Sequence, residues 1–138
     1  MIAMLRFLVP QIRRRFLAIP VAALVAITIA AAGSAVAGPA DVVAVTVEKT
    51  GPEVYRFRVT VRHDDSGWDH YANRWEVLDM QGNLLGQRVL MHPHVDEQPF
   101  TRSGMISVPM DVKRVRVRAH DLKDGYGGAE VTVELDAP

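Results

Sequence analysis

Cysteine is absent from the 138 residues. No disulfide can brace the fold, no thiolate can bind a metal, and no lipid can be attached through a cysteine thioether. An exported domain built from this chain must therefore rely on its own core. Helical periodicity is missing as well: beyond Asp41, apolar residues recur at every second position. That excludes a helix-based fold and a phosphate loop, because no helix follows Gly125-Tyr126-Gly127-Gly128, which reads instead as a tight turn. Catalytic signatures are lacking too. Ser66 and Ser103 have no strand–turn–helix setting for a nucleophile, no H-E-x-x-H occurs, and nothing in the spacing of Asp69 and His70 calls for acid–base chemistry. The chain is expected not to be an enzyme.

What is present begins with a leader. Arg6, Arg13, Arg14 and Arg15 precede an uncharged apolar run over 16–32, and Gly33-Ser34-Ala35-Val36-Ala37 closes it with small residues. This pattern predicts a secretory signal peptide over 1–37, cleaved after Ala37, and a domain over 38–138. The apolar run approaches membrane-spanning length, so a retained anchor is the alternative; its alanines and small-residue end favour cleavage. Arg13-Arg14-Arg15-Phe16-Leu17 is similar to a twin-arginine export signature, with Ile12 where that signature carries a polar residue. All 16 acidic residues but only 12 of the 16 basic ones lie beyond Ala37, so that portion has a net charge of −4. Nucleic acid needs a concentrated basic face and is excluded as a partner. No membrane contact is expected once the leader is removed.

The alternation predicts seven strands. Positions 41–48 place Val43, Val45 and Val47 on one face, and 54–62 place Tyr55, Phe57, Val59 and Val61 inward. A third strand, 73–78, carries Trp75 and Val77; a turn over 79–83 leads to a return strand, 84–90, bent at Gly86. A short strand follows at 105–108. Strand 112–119 turns Val115, Val117 and Ala119 inward, and strand 129–135 does so with Val131, Val133 and Leu135. Seven antiparallel strands with tryptophan on the third predict an all-β immunoglobulin-like or fibronectin-type-III-like sandwich. In the last hairpin, Arg118 is expected opposite Glu130 and Arg114 opposite Glu134, which explains the arginine stripe by its partners.

Between the fourth and fifth strands lies Met91-His92-Pro93-His94-Val95-Asp96-Glu97-Gln98-Pro99-Phe100-Thr101-Arg102-Ser103, read as a long ordered loop. Because connections alternate between the ends of a sandwich, the segments around 63–71, 92–100 and 120–128 share one end. All five histidines gather there. The sharper expectation is a divalent metal, zinc or copper, held by His92 and His94 with His70 or His120 and a carboxylate from Asp69, Asp96 or Asp121. Calcium at Asp121–Gly125 is weaker, with Lys123 in the middle and no EF-hand spacing. The plainer expectation is that these groups brace the loops, with Arg102 pairing Glu97 or Asp96 over a cap of Trp68, Tyr71, Phe100 and Tyr126.

Gly67-Trp68-Asp69-His70-Tyr71-Ala72, Trp75-Glu76-Val77-Leu78, His92-Pro93-His94-Val95, Glu97-Gln98-Pro99-Phe100-Thr101-Arg102-Ser103 and Ala119-His120-Asp121 with Gly125-Tyr126-Gly127-Gly128 resemble a family of small, uncharacterised exported proteins of Gram-negative bacteria. The likeness spans nearly all of 38–138. It implies this fold and a periplasmic location but brings no activity; its closing motif often has a further histidine where this chain has Asp124, a departure that removes one possible ligand. The expected function is an exported periplasmic binding domain with a divalent-metal site at the loop end, its partner a metal ion or a periplasmic protein. The alternative is a structural or protein-interaction module whose loops only brace one another.

Overall fold

The computed structural model describes residues 37–135. The leader expected over 1–37 lies, except for Ala37, outside them. The described residues form seven strands and no helix: β1 (Asp41–Gly51), β2 (Val54–Arg62), β3 (Ala72–Leu78), β4 (Leu84–Val89), β5 (Phe100–Ser107), β6 (Arg114–Asp121) and β7 (Val131–Glu134). They make two antiparallel sheets, β1-β2-β5 and β4-β3-β6-β7.

One core lies between the sheets. Tyr55, Phe57, Val59 and Val61 of β2 meet Trp75 and Val77 of β3 and Val115, Val117 and Ala119 of β6. Each alternates with a polar neighbour, so one strand face is apolar and the other wet. Full burial of such side chains is worth about 1.5–3 kcal/mol apiece. Trp75 reaches across to β5, where a Cβ on Gly104 would lie 2.9 Å from the indole Cη2. Only glycine lets the ring approach that strand so closely.

Two expectations need correction, and a third finds its cause. Val42, not Val43, is buried at the start of β1, with Val43 38% exposed. The pairing jumps from Val42↔Val61 to Ala44↔Thr60, so Val43 is an extra bulged residue that shifts the alternation by one. A second bulge, at Leu85, accounts for the bend expected near Gly86, since Leu78 pairs Leu84 while Val77 pairs Gly86. The fifth strand starts at Phe100 rather than 105, so Phe100-Thr101-Arg102-Ser103 is not loop but strand paired along β2. The loop proper is 90–99.

In the last hairpin Arg114 does pair Glu134. Glu130, however, receives Arg116 at 3.1 Å, and Arg118 turns to Glu76 of β3 at 2.9 Å. Glu76 is the stronger counter-charge because it is buried and also takes Arg74 Nε (2.8 Å) and the Tyr126 hydroxyl (2.6 Å). Burial alone would raise its carboxyl, but these donors outweigh it and hold the group below the usual carboxylate range.

Candidate metal centre

The three loops expected at one end do meet there. The inward register of β2 runs past the strand itself: Val59, Val61, His63 and Asp65 are all buried, with Arg62 and Asp64 exposed between them. Asp65 thus projects into the space between the loops. Its Oδ1 accepts the Ala72 N–H (2.9 Å) and lies 2.6 Å from His63 Nδ1, and its Oδ2 accepts the His94 N–H (2.7 Å). Burial pushes the Asp65 carboxyl up, but the His63 bond and the two backbone donors outweigh it and hold the carboxyl below its ordinary range. An ionised Asp65 can only accept, so the proton of the pair sits on His63 Nδ1. Burial depresses the His63 imidazolium, yet the bond to Asp65 and the charges of Asp65, Asp121 and Asp64 prevail and raise its pKa.

Across from His63, the last residue of β6 turns inward. Asp121 is fully buried, and its Oδ1 accepts the N–H groups of Lys123 (2.9 Å) and Asp124 (2.7 Å). Gly125, at φ +69°, closes this turn in the left-handed region that a β-carbon disfavours. The Asp121 carboxyl is pushed up by burial, but the two backbone donors, the charge of His63 and the His70 bond lower it overall. His70 Nε2 lies 3.1 Å from Asp121 Oδ1 and 3.6 Å from Asp124 Oδ2. The His63 and His70 rings meet edge to face at 4.8 Å.

His63, His70 and Asp121, all buried, each offer one ligand atom, and these atoms lie within 4.8 Å of one another. His63 Nε2 and Asp121 Oδ2 are buried with no hydrogen-bond partner. Leaving two such atoms unpaired is costly, at about 1–3 kcal/mol each. In tetrahedral coordination at about 2.1 Å, ligand atoms stand roughly 3.4 Å apart, so the widest pair would have to close by roughly an ångström. This cluster could hold a metal ion.

Of the seven residues expected as ligands, the structure brings His70 and Asp121 into this group and places the other five elsewhere. His120 and Asp121 are consecutive on β6 and point to opposite faces. His120 is left on the wet face, its Nδ1 lying 2.6 Å from Asn73 Oδ1 and 3.2 Å from the Arg74 guanidinium and its ring in a T-shaped pair with Tyr126. Asp69 and Asp96 are exposed. His92 and His94 do lie side by side, ring centroids 4.5 Å apart. His92 is exposed beside the Pro93 carbonyl, whereas His94 is buried and stacked on Phe100 at 3.8 Å. His63 was absent from the expected set, although its inward place in the β2 register was there to be read. The expected aromatic cap does not form as one unit. Trp68 forms a T-shaped pair with Tyr71 (5.8 Å), Phe100 joins the core, and Tyr126 lies under Arg118 on the outer face. Arg102 does pair with Glu97 (3.1 Å).

No family model matches this chain, and no solved structure does. The chain is 44% identical over 98 residues to a protein of the archaeon Halomicrobium mukohataei that bears the name "Putative lipoprotein". The match takes in 71% of this chain and 48% of the other, so the chain spans about half the length of that relative.

Proposed function

We propose that this protein is an exported, non-enzymatic binding domain whose loop end holds a divalent transition metal on His63, His70 and Asp121, with Asp124 as a fourth ligand. The observation that carries the reading is the pair of buried, partnerless atoms, His63 Nε2 and Asp121 Oδ2, in one cluster with His70. Asp65 acts as the outer-shell carboxylate: by fixing the His63 proton on Nδ1 it leaves Nε2 free to bind. Two imidazoles and two carboxylates suit zinc or copper; calcium and magnesium favour all-oxygen shells.

Export is supported by the leader-like pattern of 1–37 and by the name of the archaeal relative. A periplasmic location, and membership of the Gram-negative family resembled above, rest on the sequence motifs. Asp124 stands where that family often carries histidine, and at 3.6 Å from His70 Nε2 it retains a ligand-capable group at the position. The strand order β1-β2-β5 and β4-β3-β6-β7 supports a fibronectin-type-III-like reading: the fourth strand adds to the sheet of the third, unlike an immunoglobulin constant domain.

Thermal unfolding with and without zinc, copper, calcium and magnesium tests the metal reading. A ligand at about 100 times its Kd stabilises the native state by about 2.7 kcal/mol. Zinc or copper should raise Tm by several degrees and the other two should not; equal, negligible shifts from all four would sink the reading. A second reading, loops that brace each other in a structural or interaction module, is favoured by the three hydrogen bonds that Asp65 makes to separate segments. In that case Asp65 is still essential to stability, but no metal raises Tm.

A further inference from the structure

A cavity of about 490 Å³ opens between the 63–71 loop and the 90–99 loop, and none of His63, His70, Asp121 or Asp124 lines it. Its volume falls in the range of small-molecule sites. Trp68, His92, His94, Val95, Asp96 and Glu97 contribute to its walls. Trp68 is 67% exposed although its ring forms a T-shaped pair with Tyr71. A large indole left open to water on the wall of a concave site is available to a ligand.

The charges of the walls narrow the ligand's chemistry. Arg102 is committed to Glu97 by two hydrogen bonds, at 3.1 and 3.4 Å, so that pair is neutral as a unit. Asp96 is exposed and has no ion-pair or hydrogen-bond partner among the described residues. It gives the cavity that Trp68 lines a carboxylate with no ion-pair partner. His94 does not offset that charge. Burial first, then the charges of Arg102 and His92, push its pKa down and so disfavour a positive charge there. Both of its ring nitrogens are buried without a hydrogen-bond partner, Nδ1 lying 3.9 Å from Asp65 Oδ2, although the side chain borders the cavity. An anion would meet Asp96 unopposed, and an uncharged apolar ligand would strip water from that carboxylate with nothing in return.

We propose that this cavity binds a small alkylammonium ion, seated against the Trp68 indole with its charge answered by Asp96. Attraction of an ammonium to an indole face and to a nearby carboxylate are independent contributions, so losing either should weaken binding without abolishing the fold. The site does not depend on whether the neighbouring cluster holds a metal.

The test follows the two indole N–H resonances in a ¹H–¹⁵N NMR titration. Trp68→Phe assigns them, and the signal of fully buried Trp75 reports that the fold is intact. The probes are choline, putrescine and 3,3-dimethyl-1-butanol, the uncharged isostere of choline. At least one cation should shift the Trp68 resonance saturably while the isostere does not. Trp68→Ala, read by calorimetry, should lose about tenfold in affinity and Asp96→Asn about threefold or more. No saturable shift with either cation overturns the proposal. So does equal binding of choline and its isostere, which would make the cavity an apolar site indifferent to charge.

Discussion

Replacing Asp65 with alanine removes the acceptor that joins three segments of the loop end. The side chain is fully buried, and it receives the Ala72 and His94 backbone N–H groups at 2.9 and 2.7 Å and the His63 ring at 2.6 Å. The alanine variant takes this acceptor from two buried backbone donors and one imidazole donor. At about 1–3 kcal/mol for each stranded donor, and allowing for water entering the space, the loss should be about 3–5 kcal/mol. That is a large share of the roughly 5–15 kcal/mol that holds a domain of this size together. Urea unfolding at pH 7 in metal-free buffer measures it, with the m-value unchanged if the native state is otherwise intact. Asp65→Asn keeps one acceptor oxygen but turns an amide N–H toward a donor, and should fall about midway. The carboxyl's lowered pKa sets the pH signature. The stabilisation it gives is present above the unfolded carboxylate value and is lost as pH falls through the folded one, so the variant's stability should vary less with pH in the acid range. A loss below about 1 kcal/mol for Asp65→Ala would refute the reasoning, since buried donors on three segments cannot be stranded so cheaply.

Gly104→Ala should destabilise by about 1–3 kcal/mol, because the new methyl would stand 2.9 Å from Trp75 Cη2; urea unfolding with no change in midpoint would mean that the ring has room to move. His94→Phe keeps the stack on Phe100 and removes two buried nitrogens that make no hydrogen bond, so stability at pH 7 should hold or rise by up to about 1 kcal/mol. Its advantage over the parent should widen as pH falls below the unfolded histidine value, because the lowered pKa of His94 means that the unfolded chain takes up a proton there before the folded one does. Glu76→Gln removes the shared counter-charge of Arg74 and Arg118 and should cost about 1–3 kcal/mol, visible as a lower Tm; an unchanged Tm would show that solvent already screens both arginines.

Much of the fold was legible because β2 and β6 alternate without interruption, from Tyr55 to Val61 and from Val115 to Ala119, and a period of two admits one arrangement of faces. What escaped were single-residue irregularities. The bulge at Val43 is invisible among valines, since composition does not say which residue is the extra one. The early start of β5 was hidden by Pro93 and Pro99: a loop between prolines hides the point where pairing resumes, and Phe100 follows the second of them directly. For the candidate site, loop adjacency was readable from connection parity, but choosing between neighbours needed the strand face. Asp121 over His120 is decided by the face of β6, and His63 by the inward register of β2 that continues past Val61. The role of Asp65 depended on a hydrogen bond to His94, 29 residues away, which no local pattern encodes.

The most direct measurement is calorimetric titration of the purified protein with zinc, repeated on His63→Ala and His92→Ala. The expected result is one zinc per chain, with binding lost in His63→Ala and retained in His92→Ala. Absence of binding, or binding that survives His63→Ala and disappears in His92→Ala, would contradict a metal centre built on His63, His70 and Asp121.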